Sequence, residues 1–118
     1  MELVTVTPKK PKRGEVWHCG GFEDKTSTDK RTIEGNRFVA VVSPDSLNSH
    51  SDTVIVVPMT TGGHLYAFRV SVQFKGKSGY ALCDQVFAVD RAALTNFSGA
   101  LDSIAISKIQ ITLQNMFK

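Results

Sequence analysis

The apolar residues of this chain fall into short β-branched runs separated by polar segments, and helix-like spacing occurs only near the C-terminus. Two of these runs lie within residues 37–61, RFVAVVSPDSLNSHSDTVIVVPMTT, where a short polar loop joins them. Such runs predict strands over 37–43 and 53–58. The second run is apolar throughout, which predicts a strand that is buried on both faces or central in a closed barrel. The segment between them, 43–52, predicts a turn followed by a loop or a short helical turn.

Further strands are predicted on both sides of this pair. Residues 15–19, EVWHC, predict a first strand, and the polar stretch over 22–36 predicts a long loop. Residues 66–74 alternate between apolar and polar side chains, as a strand with one buried face does. The sequence KGKSG over 75–79 predicts a hairpin turn, and residues 80–89 predict one bent strand or two short ones.

The C-terminal segment has the only clear helical pattern. Asp102 or Ser103 can cap a helix. The apolar residues that follow near helical spacing are Ile106, Ile109, Leu113, Met116 and Phe117. Five to seven short strands followed by a helix predict a small, mostly antiparallel β-barrel with a C-terminal α-helix.

Length and composition place the chain among ordinary globular proteins. With 118 residues, 42% hydrophobic and 21% charged, it can form one domain with a modest core and is too apolar for a disordered chain. No apolar run approaches the roughly 20 residues that cross a bilayer. The N-terminus places its apolar residues before its basic ones, unlike a secretory signal. We therefore predict a cytoplasmic protein.

The positive charge is concentrated near the N-terminus. The net charge of +3 and pI of about 9.0 give a mild preference for polyanions. Lys12 and Arg13 end a proline-flanked basic segment, which is either a solvated arm or an arm that contacts phosphates. We predict a flexible basic arm over residues 1–12 and a single barrel domain over 13–118.

The two cysteines, Cys19 and Cys83, belong to no CxxC pair or zinc-ligand cluster, so no metal site is predicted. In the cytoplasm both are expected to be reduced, and their strand positions predict small buried side chains. A disulfide between them stays open at this point.

Polar side chains at the ends of the apolar runs are the first candidates for chemistry. Arg37 opens one strand, and a guanidinium binds phosphate through a bidentate fork. Thr60 and Thr61 follow the other strand, and their hydroxyls could grip a phosphate or sugar oxygen, or could simply belong to a turn. Asp84 ends an apolar stretch, where a carboxylate could act as a general base or cap a turn. Glu34 could act as a base or pair with Arg37.

The histidines lie in separate segments, and each alone favours a structural or exposed role over a catalytic one. His64 is the exception of interest, since it follows two glycines beside the hydroxyl pair. Arg69 adds a further cation on the alternating strand.

Four ordered segments then resemble the MazF/PemK toxins of type II toxin–antitoxin systems. They are RGEVW over 13–17, RFVAVVS over 37–43, TVIVVPMTT over 53–61, and CDQV with VDR over 83–91. The resemblance implies an SH3-like barrel, a homodimer, and an endoribonuclease that cuts single-stranded RNA without a metal or other cofactor. It also implies an antitoxin partner.

The resemblance assigns roles residue by residue. Arg37 and Thr60 match the arginine and threonine assigned to catalysis, and Thr61 matches an RNA-contacting hydroxyl. Asp84 matches the acidic residue that acts as a base in PemK/Kid-type members, and Glu34 is a second candidate. The candidate RNA-binding residues are Thr61, His64, Arg69, Lys12 and Arg13.

Three departures from the family pattern bear on the mechanism. Phe38 stands where the family has proline, and residues 33–37 match its loop motif only in part. Leu82 stands where Kid-type members place an arginine that acts as the acid. The general-acid role therefore lacks its usual residue, and His64 is the alternative candidate for it.

Two rival functions follow from the same residues. A CcdB-like gyrase poison would share the barrel but depends on a C-terminal Trp-Gly-Ile, whereas this chain ends NMFK and its single tryptophan is Trp17. A degenerate member would bind RNA without cutting it, and Phe38 and Leu82 keep that reading open.

Overall fold

A computed structural model describes residues 10–20, 37–61 and 65–118. Within these ranges the chain forms seven strands and two helices, with a single 3-10 turn after the fifth strand and another after the sixth. In chain order the elements are β1 Glu15–Cys19, β2 Arg37–Val41, α1 Asp45–Asn48, β3 Thr53–Thr61, β4 Arg69–Phe74, β5 Lys77–Leu82, β6 Phe87–Asp90, β7 Leu94–Ala100 and α2 Ser103–Met116.

The strands form one antiparallel sheet in the order β4-β5-β3-β2-β1-β7, and β6 pairs with the first half of β3. β3 is the central strand because it pairs with β2, β5 and β6. This confirms the predicted fold class, mostly antiparallel β with a C-terminal helix. Among the described residues the two edge strands share no ladder, but the ring of Phe74 on β4 lies against Gly99 on β7. The Phe74 side chain thus contacts β7 although no hydrogen-bonded ladder in the described part of the chain joins these two edge strands.

Two apolar clusters lie on opposite faces of β1, β2 and β3. Alternation along β3 sends Val54 and Val56 into one cluster, and Val57 and Met59 into the other. The buried residues Ala105 and Ile109 of α2 belong to the second cluster. The helix therefore packs over one face of the sheet.

Of the two alternatives predicted for this strand, the central position agrees with the structure, whereas burial on both faces is wrong at its first half. Val54 and Val56 are fully buried, but Ile55 between them is 38% exposed. Ile55 points away from the cluster of Val54 and Val56, and it is not among the residues packed with α2. An apolar run alone cannot show where the covering helix stops.

Other predictions are confirmed with shifted boundaries. β4 begins at Arg69, not at residue 66, because Phe68 has a positive φ of 64°. The hairpin turn narrows to Lys75 and Gly76, whose φ angles of 51° and 77° are those of a type I′ turn. Asp102 caps α2, since its Oδ1 accepts a hydrogen bond from the Ala105 amide at 2.8 Å.

The strand β7 was not predicted from the sequence. Its residues, LTNFSGA, have no period-two alternation, and Thr95, Asn96 and Phe97 are all exposed. β7 is held by pairing with β1, including two register shifts. Only this tertiary pairing makes the segment a strand.

The end of the predicted N-terminal arm packs against the domain. Pro11 is fully buried, and the Lys12 amide donates to Glu15 Oε1 at 2.8 Å. Among the described residues, no helix has the length and apolar character needed to span a bilayer.

Both thiols are buried, and burial raises the pKa of Cys19 and of Cys83 to about 11; the neighbouring Asp84 charge adds to the effect at Cys83. An unfolded thiol ionises near pH 9 while the folded one stays protonated, so alkali favours unfolding. We expect the free energy of unfolding to fall by about 1.4 kcal/mol per thiol for each pH unit above 9, levelling off above 11.

Urea unfolding at pH 8 to 11 measures this dependence. The double variant Cys19→Ala/Cys83→Ala should lose the thiol contribution and show a shallower decline. An identical decline in both proteins would contradict the assignment.

Candidate active site

Arg37 on β2 and Thr60 on β3 lie at the ends of neighbouring strands and line the same groove. The ladder between these strands has Val39 and Pro58 as its last pair, and Arg37 and Thr60 are each two residues further on. Because side chains alternate along a strand, both lie on the face of the sheet that carries Val39 and Pro58. Both side chains are partly exposed. The structure thus places an arginine and a threonine on one face at the ends of β2 and β3.

Two further hydroxyls continue this row across the sheet. Tyr80 on β5 is paired with Thr60, and Ser71 on β4 is paired with Tyr80. The row therefore reads Arg37, Thr60, Tyr80 and Ser71 over four neighbouring strands. Sequence reasoning missed Tyr80 and Ser71. The hairpin turn could have paired these two with each other, but nothing local indicates that β5 lies beside β3.

An ion pair lies on the same face of the sheet. Arg69 is two residues before Ser71, about 7 Å along β4. Its Nε and Nη2 donate to Asp84 Oδ1 and Oδ2 at 3.1 and 3.4 Å. Its guanidinium also lies 4.6 Å from the ring centre of Tyr66. Asp84 is therefore held by a two-point contact with Arg69.

The partner of Asp84 comes from the neighbouring strand. Arg69 is directly opposite Leu82 in the ladder between β4 and β5. Leu82 is buried, at 4% exposure, and carries no charge. A guanidinium next to Asp84 is thus present although position 82 does not supply it.

A groove lies at the end of the barrel beside this row, with a cavity volume of about 420 Å³. Phe38, next to Arg37 in β2, points to the opposite face of the sheet and forms part of the groove wall. The ring of Phe38 lies edge-on to His18 at 4.5 Å and to Phe74 at 5.8 Å between ring centres. The lining residues are His18, Arg37, Phe38, Met59, Thr60, Thr61, Val72, Phe74, Lys75, Lys77 and Gly79.

The charge of the groove is one-sided. Its lining includes Arg37, Lys75 and Lys77, together with the imidazole of His18, and none of the described residues that line it is acidic. Both lysines lie at the exposed hairpin between β4 and β5. Such a surface attracts anions. Sequence reasoning missed the lysines, because the sequence places them in a hairpin turn and does not show that this turn lies at the groove.

The remaining candidates lie elsewhere. Arg13 Nε donates to the Val42 carbonyl at 3.1 Å, and the neighbouring Gly14 amide donates to Val41. Lys12 and Arg13 are therefore at the far end of β2, about 17 Å of strand from Arg37. Glu34 and His64 lie outside the described residues. Among the described residues, no three histidine, cysteine or acidic side chains are placed to hold a metal ion.

Comparison with known families defines the class of the protein. A family model described as PemK-like, MazF-like toxin of type II toxin–antitoxin systems matches residues 12–117. The chain belongs to this toxin family.

Solved structures share its fold. A mycobacterial endoribonuclease in complex with its cognate antitoxin has a TM-score of 0.72 at 21% identity, covering 91% of this chain and 94% of that one. A chain of a MazE–MazF crystal structure from Deinococcus radiodurans has a TM-score of 0.76 at 19% identity, covering 92% of this chain and 97% of that one. MazF from the same organism in a structure of its own reaches 0.75 at 19% identity, with the same coverage. No curated protein matches the chain significantly.

Proposed function

We propose that this toxin is an endoribonuclease that cuts single-stranded RNA at specific sequences, without a metal, by attack of a ribose 2′-hydroxyl on the adjacent phosphate. The observation that carries the proposal is that Arg37 and Thr60 lie on one face at the ends of neighbouring strands and line a cationic groove. A fixed guanidinium and a hydroxyl are what a phosphodiester needs for binding and for stabilising added negative charge. The fold is also that of proteins named endoribonucleases.

In the proposed reaction the 2′-oxygen bonds to phosphorus, and the bond from phosphorus to the 5′-oxygen breaks. The 2′-hydroxyl proton passes to a base, and the leaving 5′-oxygen takes up a proton. Arg37 stabilises the charge of the phosphorane, and Thr60 positions the phosphate. The products are a 2′,3′-cyclic phosphate and a 5′-hydroxyl.

Asp84 is the proposed base, with Glu34 as the second candidate for this role. The assignment is supported by the two-point contact of Asp84 with Arg69, a residue of β4 on the same face as Ser71. Kid-type members have an arginine at the position of Leu82. We propose that Arg69 supplies this cation in the present chain. Tyr80, paired with Thr60, adds a hydroxyl that could donate to the phosphate or to the leaving oxygen.

Partners follow from the family. Two of the similar structures are complexes of a toxin with an antitoxin, the mycobacterial enzyme and MazE–MazF. We propose that this chain likewise acts as a homodimer in the cytoplasm and is held inactive by an antitoxin of its own.

Incubating the purified protein with a long RNA in excess EDTA tests this function. We expect site-specific cuts whose ends carry 2′,3′-cyclic phosphate and 5′-hydroxyl groups, identified by end-specific ligation and sequencing. Cleavage that appears only with added magnesium and leaves a 3′-hydroxyl would refute the 2′-hydroxyl mechanism. RNA that stays intact in both buffers would favour the reading in which the chain binds RNA without cutting it.

A further inference from the structure

We propose that the groove between His18, Phe38 and Phe74 is a binding pocket for one unstacked base of single-stranded RNA, next to the phosphate held by Arg37 and Thr60. The inference rests on the proposed function for the identity of the polymer. It adds a recognition site on the face of β2 opposite to the proposed chemistry.

The walls of the pocket are suited to a planar aromatic ligand. Phe38 is 36% exposed although its ring touches two other rings, so part of its surface faces the groove. Met59 and Val72 supply an apolar floor. Each aromatic side chain that stacks on a base contributes substantially to binding of single strands, whatever the base. A volume of about 420 Å³ lies in the range of small-ligand sites.

The rim of the pocket supplies the charge that a nucleotide requires. Lys75 Nζ lies 5.5 Å from the ring centre of Phe74, which places a cation beside the aromatic wall. Lys77 is paired with Phe74 across the hairpin. A base stacked on the exposed part of Phe38 would thus have its own phosphates within reach of cations and hydroxyls, and no acidic residue among the described lining opposes it.

The position of Phe38 ties the pocket to the proposed catalytic row. Arg37 and Phe38 are consecutive in β2, and Thr60 and Thr61 are consecutive in β3, so each pair sends one side chain to each face. A nucleotide that places its phosphate at Arg37 and Thr60 can therefore place a neighbouring base against Phe38. That base would be one of the positions at which the toxin reads its RNA.

Fluorescein-labelled hexamers of 2′-fluoro U, C, A and G test the pocket directly, since they lack the attacking hydroxyl and stay intact. We expect Phe38→Ala to weaken the tightest of these hexamers about 5- to 100-fold by fluorescence anisotropy, and Phe38→Trp to retain affinity. An abasic hexamer with the same phosphates should bind at least about fivefold more weakly than the best base-bearing one, because only the base is missing.

Phe97→Ala is the matched control, because Phe97 is also an exposed phenyl on this sheet and packs on Trp17 outside the groove. It should bind the hexamers like the wild type. Equal losses in Phe38→Ala and Phe97→Ala, or equal binding of abasic and base-bearing hexamers, would overturn the pocket.

Charge at the rim offers a second test that leaves the core intact. Lys75→Ser/Lys77→Ser, both exposed hairpin positions, should reduce the slope of log affinity against log salt by about 1.4. The pair Lys108→Ser/Lys118→Ser, exposed on and after α2, should leave the slope unchanged. If the two double variants reduce the slope equally, the lysines at the rim have no special role and the pocket is refuted.

Failure of the pocket and failure of the proposed function give different results. A wild type that binds hexamers through Phe38 but never cuts long RNA would refute the nuclease and support the pocket. A wild type that cuts RNA while Phe38→Ala binds hexamers unchanged would refute the pocket alone.

Discussion

Replacing Arg37 with alanine is expected to lower the rate of RNA cleavage by about 10²- to 10³-fold, the usual effect of removing one transition-state charge stabiliser. Arg37 opens β2 on the face that also carries Thr60, and the row formed by Thr60, Tyr80 and Ser71 contains no other cation. Arg37→Lys should recover part of the rate, since lysine keeps the charge but loses the bidentate geometry. Single-turnover cleavage of one mapped site measures both variants.

Arg91→Ala is the matched control for this experiment. Arg91 is a partly exposed arginine in the turn after β6, where it lies 3.9 Å from Asp52 and away from the groove. It should cut at the wild-type rate. Circular dichroism should show the same fold in all the variants. Cleavage by Arg37→Ala at the rate of Arg91→Ala would remove Arg37 from the mechanism.

Gly79→Ala is expected to destabilise the protein by about 1–3 kcal/mol and to reduce cleavage at the same time. A β-carbon at Gly79 would lie 1.9 Å from the Thr60 carbonyl oxygen and 2.9 Å from its carbon. Both neighbours are backbone atoms, so the strands β3 and β5 must separate to admit a methyl group. The separation would occur at Thr60, which we propose positions the phosphate.

Gly76→Ala separates crowding from backbone strain. Gly76 has a φ of +77°, and nothing lies within 4 Å of a β-carbon built on it. It should cost only the roughly 1 kcal/mol of a left-handed alanine and leave cleavage intact. Urea unfolding and single-turnover cleavage together compare the two variants. A Gly79→Ala protein as stable and active as Gly76→Ala would show that the strands are not held so closely there.

The sequence predicted those elements whose signals are local. The apolar runs of β2 and β3, the alternation in β4 and the cap at Asp102 each record a local preference, and all four elements are present. β7 carries no such signal because it exists through its pairing with β1. The exposure of Ile55 likewise depends on where α2 ends its cover, which no neighbouring residue encodes.

The residues of the candidate site also divide into those with a local signal in the sequence and those that depend on strand pairing. Arg37 and Thr60 could be named from the sequence because polar residues at strand ends stand out. Their neighbours Tyr80 and Ser71 could not, because they depend on the order of β3, β5 and β4 in the sheet. The contact of Arg69 with Asp84 joins residues 15 positions apart, and the aromatic contact of Phe38 with Phe74 crosses the barrel.

The alternation of β2 at Arg37 and Phe38 has a consequence for how this toxin can diversify. With the roles proposed above, substitutions at Phe38 would alter which transcripts are cut, while Arg37 beside it would preserve the ability to cut. Homologues could then acquire new target sets through single codon changes without passing through inactive intermediates. A one-codon insertion in the same strand would exchange the two positions and abolish both properties together.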